Sequence, residues 1–400
     1  MATAAAHVLE DQIPTRAELV RRARAMLPGL RARQAEAYAA RKLPAETVRE
    51  MVQNGFFRIL QPKRYGGFEM DPQVFFDVQM TLAEACMSTA WVLGVVGCHP
   101  YQIALFDDRA QAEVWGANPD TLVSSSYQPV GKVEVVEGGF KLSGRWGFSS
   151  GCEYCDWVLL GSLIFNKEGP PEMRTFLVPR KDYKILDNWH TFGLQATGSQ
   201  DIVVEDAFVP DYRTHKAVDG FMCKNPGNAV NDSPLYQLPW AQVFVRSVST
   251  AAIGAVQGAL DAFVDIGKKR VSTNTGKATK QDSNAILAAA RTQSAIDEMK
   301  ALLYRNFDEM MAAMRAGQPL TMEARIRYRY QSSQVGRRCA DLIDELMPLL
   351  GGRAIYTDSP IVRYWLDVNA SRAHVANDPN LVGASLGSMY MGEQPQEFFV

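Results

Sequence analysis

Histidine is scarce in this chain, with five in 400 residues and no pair at HxxxH or HExxH spacing. That excludes the common helix-borne metal sites. Six cysteines in so long a chain fit reduced, mostly buried thiols rather than a disulfide framework. One CxxC occurs, Cys152-Glu-Tyr-Cys155, and there is no second to complete a four-ligand zinc site. A redox dithiol should lie between a strand and a helix start, yet the following DWVLLGSLI reads as a strand. These two cysteines are therefore expected to be small, soft wall residues, and no metal is expected. Also missing are a G-x-S-x-G elbow, a Gly-Lys-Ser/Thr phosphate loop and a GxGxxG turn after a strand. Their absence removes the usual routes to a hydrolase, an NTPase or a Rossmann dehydrogenase. A net charge of −2 gives no reason to expect nucleic acid or an anionic membrane as partner. No run of about 18 apolar residues is evident, so no spanning helix is expected. The start, MATAAAHVLEDQ, lacks a basic-then-apolar leader, and a cytoplasmic location is the expectation.

What is present falls into three stretches, and the length alone suggests two or three structural units. From about Arg16 to Gly116 apolar residues recur at three- and four-residue spacing. PAETVREMVQNGFFRIL has Pro44 at a helix start and Gly55 as a stop. The long apolar FFDVQMTLAEACMSTAWVLGVVGCHPYQIALF is expected to form a buried helix pair. From about Thr121 to Tyr212 the period becomes two. KVEVVEGGFKLSGRW predicts a hairpin turning at Gly138-Gly139, and further short strands suggest a small antiparallel sandwich or barrel. After an irregular connection from Asp219 to Leu238, four long helical segments follow, one of them the unbroken ARIRYRYQSSQVGRRCADLIDELMPLL.

Each histidine admits a plain structural reading. His7 lies in a terminal tail, and His190 and His215 flank strands and are expected at the surface. His99 interrupts the apolar GVVGCHPYQIAL, where a buried imidazole must find a partner or stay neutral. His374 sits near a helix end, where it could act as a C-terminal cation. Polar pocket candidates are Ser124 to Ser126, Phe148 to Gly151, and the loop Gln195 to Gln200, although Ser/Gly loops are commonly only turns.

Together these segments resemble the acyl-CoA dehydrogenase superfamily over nearly the whole chain. FGLQATGSQDIVVEDAFVP looks like its strand pair with the E-D-x-x-V-P ending. GRWGFSSG resembles the segment lying against the flavin ring, and LLGGRAIYTDSPIVRYWLDV the stretch before the active-site helix. The resemblance implies an α+β, acyl-CoA dehydrogenase-like fold. It divides into an N-terminal helical domain (1–120), a central antiparallel β domain (121–215) and a C-terminal four-helix bundle (216–400). Where the dehydrogenases carry Y-E-G-T with the catalytic Glu, this chain has His374-Val-Ala-Asn377 and no carboxylate. Without a base, α-proton abstraction from an acyl thioester fails.

A closer likeness is to the oxygenase components of two-component flavin monooxygenases on this fold, such as the 4-hydroxyphenylacetate and 3-hydroxy-secosteroid hydroxylases. It is carried by LQPKRYGGFEMDP, GCHPYQIALF, VSSSYQP, WGFSSGCEYCDW and SRAHVANDP. That resemblance implies reduced FAD or FMN delivered by a separate NAD(P)H:flavin reductase, O2 adding at flavin C4a, and hydroxylation of a small aromatic substrate. It further implies that Ser150 bonds near flavin N5, Phe148 packs on the ring, and Trp91 walls the site. Gly151 belongs to the same flavin-binding corner, Arg270 meets the flavin phosphate, and Gly351 and Gly352 permit close backbone approach. His374 would stand beside C4a, while His99 and Ser125 hold the substrate hydroxyl or NH. A homotetramer or homodimer is implied as well. Asn369 stands where relatives have histidine, and CEYC replaces a common Asp-His-Ala, so an indole competes with a phenol as substrate. The alternatives are a flavin enzyme acting on acyl thioesters and a non-catalytic flavin-binding scaffold.

Overall fold

The computed structural model describes residues 13–165, 169–273, 276–395, 397 and 399–400; His7 lies outside them. Five helices come first: α1 (Arg16–Ala40), α2 (Ala45–Gln53), α3 (Pro72–Ala83), α4 (Met87–Ile103) and α5 (Asp108–Trp115). Every residue of α3 and α4 is buried. Both carry apolar residues on every face and must be covered on every side, while polar members such as Asp77 and Gln79 are hydrogen-bonded to Tyr304 and the Ser247 carbonyl. The expected helix pair is thus the centre of the molecule, with α3 lying on both α1 and α8 (Thr250–Lys269).

Seven strands follow: β1 (Val123–Val136), β2 (Gly139–Ser149), β3 (Trp157–Ile164), β4 (Glu172–Pro179), β5 (Lys184–Leu186), β6 (Gln200–Pro210) and β7 (Thr214–Lys216). They form one sheet in the order β5-β6-β2-β1-β3-β4-β7. The hairpin is where expected, with Val136 opposite Gly139 and Gly138 at φ +75°. The sheet is not wholly antiparallel, because β1 runs parallel to β3 from Val123 to Ser126. A register break between Ser126 and Gly131 then hands β1 from β3 to β2. This long strand serves two neighbours in succession, and its first four residues, all buried, carry the serine triplet.

The remaining helices are α6 (Ala217–Met222), α7 (Trp240–Ser247), α8, α9 (Ser283–Arg315), α10 (Met322–Ser333), α11 (Val335–Leu349), α12 (Pro360–Ser371) and α13 (Pro379–Tyr390). The segment expected as one helix is broken at Gln334 into α10 and α11. Trp240–Lys269 is long and apolar enough to cross a membrane by length and composition, contrary to the expectation that no such stretch exists. Its most apolar window is 94% buried, which accounts for its character as core. His215, expected at the surface, is buried on β7 and bonds Asn225 Oδ1 at 2.8 Å. His190 is exposed.

Candidate active site

The site is built on α4. Trp91, Val95 and His99 recur at four-residue spacing and share one helix face. Trp91 and His99 are about 12 Å apart along the axis at 1.5 Å per residue. From this face a circuit of rings closes. His99 meets Tyr127 (centroids 6.2 Å), Tyr127 meets Phe244 (5.1 Å), Phe244 meets His374 (6.1 Å), and His374 meets Trp91 edge-on (5.9 Å). Four separate elements, α4, β1, α7 and the turn after α12, therefore converge.

The two imidazoles are held in opposite tautomers. His99 is fully buried, and its Nδ1 lies 2.5 Å from the Val123 carbonyl oxygen. A carbonyl can only accept, so Nδ1 carries the proton and Nε2 presents a lone pair. That Nε2 has no hydrogen-bond partner among the described residues. Burial pushes the imidazole from its ordinary 6.5 down to about 4, which keeps it neutral near pH 7. His374 is the reverse: its Nδ1 accepts from the Ala376 backbone N–H at 3.1 Å, so the neutral ring carries its proton on Nε2. Burial, with the Arg329 cation nearby, pushes this ring down to about 4 as well. His374 caps the turn Val375–Asn377. On its other side it borders a cleft of about 590 Å³ with Arg337, Asp341 and Arg372.

Ser150 stands against the Trp91 end. Its Oγ accepts from Trp91 Nε1 at 3.3 Å and lies 2.7 Å from Ser199 Oγ. It reaches this place through a kink. Phe148 adopts φ +65°, and the β2–β6 register shifts between Trp146 and Ser149. A left-handed non-glycine residue costs on the order of 1 kcal/mol or more, and such strain collects at functional sites. Gly151 follows at φ +68°, where a Cβ would come within 2.9 Å of Val92 Cγ1, so only glycine seats this corner on α4. Ser125, near the His99 end, lies two residues before Tyr127 on the same side of β1, and the Tyr127 hydroxyl donates to Gln102 Oε1.

The other expected flavin residues fall into separate places. Phe148 is 65% exposed, and its ring meets Trp189 (5.9 Å) rather than Trp91 or His374. Arg270 and Gly351 are together: Arg270 Nη1 donates to Thr279 Oγ1 at 2.9 Å, and a Cβ on Gly351 (φ +65°) would lie 2.4 Å from Arg270 Nη2. Gly352 is exposed with nothing within 4 Å of a Cβ, so within the chain the close approach requires glycine at Gly351 alone. Asn369 bonds back to the Trp365 carbonyl at 2.9 Å. Cys152 and Cys155 are buried free thiols. Burial pushes Cys152 up to about 12 and Cys155 well above the ordinary thiol range, so neither is a nucleophile at neutral pH.

Several participants carried no signal in the sequence. Trp240 and Phe244, at four-residue spacing on an apolar helix, look like ordinary core. Arg246 is buried with both Nη atoms unpartnered among the described residues, and burial beside Arg329 pushes it down to about 10. Asp367 is buried on α12, accepting from Tyr38 Oη and, at 2.7 Å, from the Leu194 N–H.

A flavin suits this arrangement. The Trp91 indole, the Ser150 hydroxyl and the His374 ring stand at one end, and the buried, unpartnered Nε2 of His99 lies at the other. Two family models match the chain: "Acyl-CoA dehydrogenase, N-terminal domain" over residues 13–117 and "Acyl-CoA dehydrogenase, C-terminal domain" over 247–379. The chain is 37% identical over 371 residues to the flavin-dependent monooxygenase oxygenase subunit HsaA of Rhodococcus jostii, covering 92% of this chain and 97% of that protein. It is 30% identical to the p-hydroxyphenylacetate 3-hydroxylase oxygenase component of Acinetobacter baumannii, covering 94% and 89% respectively. The crystal structure of 3-HSA hydroxylase from Rhodococcus sp. RHA1 superposes with a TM-score of 0.92 at 36% identity, covering 96% of this chain and 99% of that one.

Proposed function

The chain belongs to the oxygenase subunits of flavin-dependent monooxygenases on the acyl-CoA dehydrogenase fold, and from that premise we propose how its residues divide the work. It is an aromatic hydroxylase that uses reduced flavin and O2, the flavin coming from a separate reductase. When bound, the reduced flavin supplies the two electrons that activate O2, so that one oxygen atom enters the aromatic ring and the other leaves as water.

The observation that carries the assignment of roles is the pair of opposed imidazole tautomers. His99 Nε2, a buried lone pair, accepts a hydrogen bond from the substrate's hydroxyl or NH and so raises electron density on the ring to be attacked. Ser125, on the same side of β1 as Tyr127, orients that same group. His374 offers an N–H from Nε2 toward the Trp91 end, where oxygen chemistry needs a hydrogen-bond donor. Trp91 and Ser150 position the flavin ring, and Gly151 lets the β2 corner sit close to α4. Arg270, set against Gly351, holds the flavin phosphate as a fixed cation. The apolar faces of Phe244 and Trp91 exclude water. Phe148, exposed in the single chain, together with Ile355 (75% exposed), supports a homo-oligomer that completes the flavin enclosure.

The substrate is a phenol or an indole, whose hydroxyl or NH would donate to the buried, unpartnered Nε2 of His99. Reading the chain as an acyl-CoA dehydrogenase fails on the missing carboxylate. Among the described residues the turn after α12 presents His374, and Asp378 is used to cap α13.

The test is reconstitution with NADH, a flavin reductase and FMN or FAD under 18O2, with panels of phenols, aryl acetates and indoles. One 18O atom should enter an aromatic product. Consumption of O2 yielding only H2O2 with every phenol and indole would refute the assignment, as would NADH oxidation by this chain alone.

A further inference from the structure

A line of hydroxyls runs behind Ser150, and its direction can be read from its far end. Thr197 Oγ1 lies 2.9 Å from the Leu194 carbonyl oxygen, 2.6 Å from Ser199 Oγ, and Ser199 Oγ lies 2.7 Å from Ser150 Oγ. The Leu194 carbonyl has no proton. Thr197 must therefore donate to it, because the reverse orientation would face two lone-pair oxygens at 2.9 Å. With its proton so committed, Thr197 can only accept from Ser199. Ser199 can then only accept from Ser150. The proton of Ser150 thus points inward to Ser199, and its outward lone pairs accept, one of them from Trp91 Nε1–H at 3.3 Å.

The loop that carries this line is clamped at both ends. Leu194, in the left-handed region at φ +52°, gives its N–H to buried Asp367 Oδ1 at 2.7 Å. The Thr197 carbonyl accepts from Gly151 N–H at 2.9 Å, and the Leu194 carbonyl also accepts from the Thr197 N–H at 3.1 Å and from Trp189 Nε1 at 3.0 Å. All three hydroxyl residues are buried, so no solvent competes for the protons.

We infer that Thr197 and Ser199 are positioning residues that lock Ser150 as a hydrogen-bond acceptor and so make the site prefer reduced over oxidised flavin. The inference rests on the reading that Ser150 faces flavin N5. Reduced flavin carries N5–H, a donor that matches an accepting serine. Oxidised flavin presents N5 as an acceptor, which meets a lone pair on a hydroxyl that cannot turn. A subunit supplied by a separate reductase gains from this device, because it takes up the reduced carrier and releases the oxidised one.

The experiment measures dissociation constants of FMN and FAD, oxidised and dithionite-reduced, under anaerobic conditions, for the full chain and four variants. Ser199→Ala and Thr197→Val each free the rotor of Ser150. The ratio of oxidised to reduced dissociation constants should then fall by roughly threefold to tenfold, chiefly through tighter oxidised binding, as expected for one gained hydrogen bond. Thr197→Ser keeps the hydroxyl and should restore the wild-type ratio. Ser150→Ala should lower the ratio through weaker reduced binding. A wild-type ratio in both Ser199→Ala and Thr197→Val, with Ser150→Ala altered, would overturn the inference while leaving the flavin reading intact. An unchanged ratio in Ser150→Ala would overturn it by removing Ser150 from N5. Failure of the wild-type chain to bind any flavin would instead sink the functional reading itself.

Discussion

Replacing His99 with asparagine separates the two jobs its ring performs. Nδ1 donates to the Val123 carbonyl, and the buried Nε2 has no partner among the described residues. The asparagine amide nitrogen occupies nearly the place of Nδ1, so the Val123 carbonyl stays satisfied while the Nε2 acceptor is lost. His99→Ala, by contrast, leaves that buried carbonyl unpaired at about 1–3 kcal/mol and opens a cavity besides. His99→Asn should therefore keep most of the stability and the flavin affinity, and lose product formation by about tenfold or more, as expected when the acceptor for the substrate's hydroxyl or NH is removed. Electrons should continue to reach O2 and emerge as H2O2.

The pH dependence of stability supplies an independent readout. His99 has a folded pKa of about 4 against an ordinary 6.5, so between these values the unfolded chain binds more protons and stability is lost as pH falls. That displacement corresponds to about 3 kcal/mol, all of it present above pH 6.5 and lost by about pH 4. The stability gap between wild type and His99→Asn should close, or change sign, over that window. The assays are product and H2O2 per NADH with the reductase present, and urea unfolding at pH 7 and pH 4.5. Product yield in His99→Asn within a few fold of wild type would refute the role of Nε2 as acceptor. A stability gap that does not vary with pH would refute the buried neutral imidazole.

Two further outcomes follow from buried contacts away from the substrate end. Asp367 is raised by burial from 3.8 to about 6, so the folded chain holds its proton more strongly and stability rises as pH falls through that window, by at most about 3 kcal/mol. Asp367→Asn should abolish this slope between pH 6 and 4 in urea titrations, and an unchanged slope would place its origin elsewhere. Gly351→Ala should cost about 1 kcal/mol for a side chain at positive φ and push Arg270 off Thr279, weakening flavin binding several-fold with the fold intact. Unaltered flavin titrations in that variant would remove Arg270 from the cofactor site.

The sequence by itself determined the order of elements and the chemistry available. Apolar residues on every face of α3 and α4 can only be buried, and the period-two stretch with Gly138 can only turn as a hairpin. The missing carboxylate at His374–Asn377 is a fact of composition that no packing restores. The resemblance supplied the function, because the linear segments that meet the flavin and substrate stay short and recognisable.

What the tertiary structure decided is which atoms face one another. Local pattern cannot reveal that β1 begins parallel to β3, since that pairing is set by where a distant strand lies. Nor can it break ARIRYRYQSSQVGRRC at Gln334, where the nearest glycine, Gly336, lies inside the following helix. His215 sits inside because Asn225, ten residues away, satisfies its ring nitrogen. The tautomers of His99 and His374 depend on whether each Nδ1 meets a carbonyl or an amide, and the direction of the Thr197–Ser199–Ser150 line depends on a single carbonyl at Leu194. Proton positions follow from partners brought together across the fold, so they become legible only when those partners have been placed.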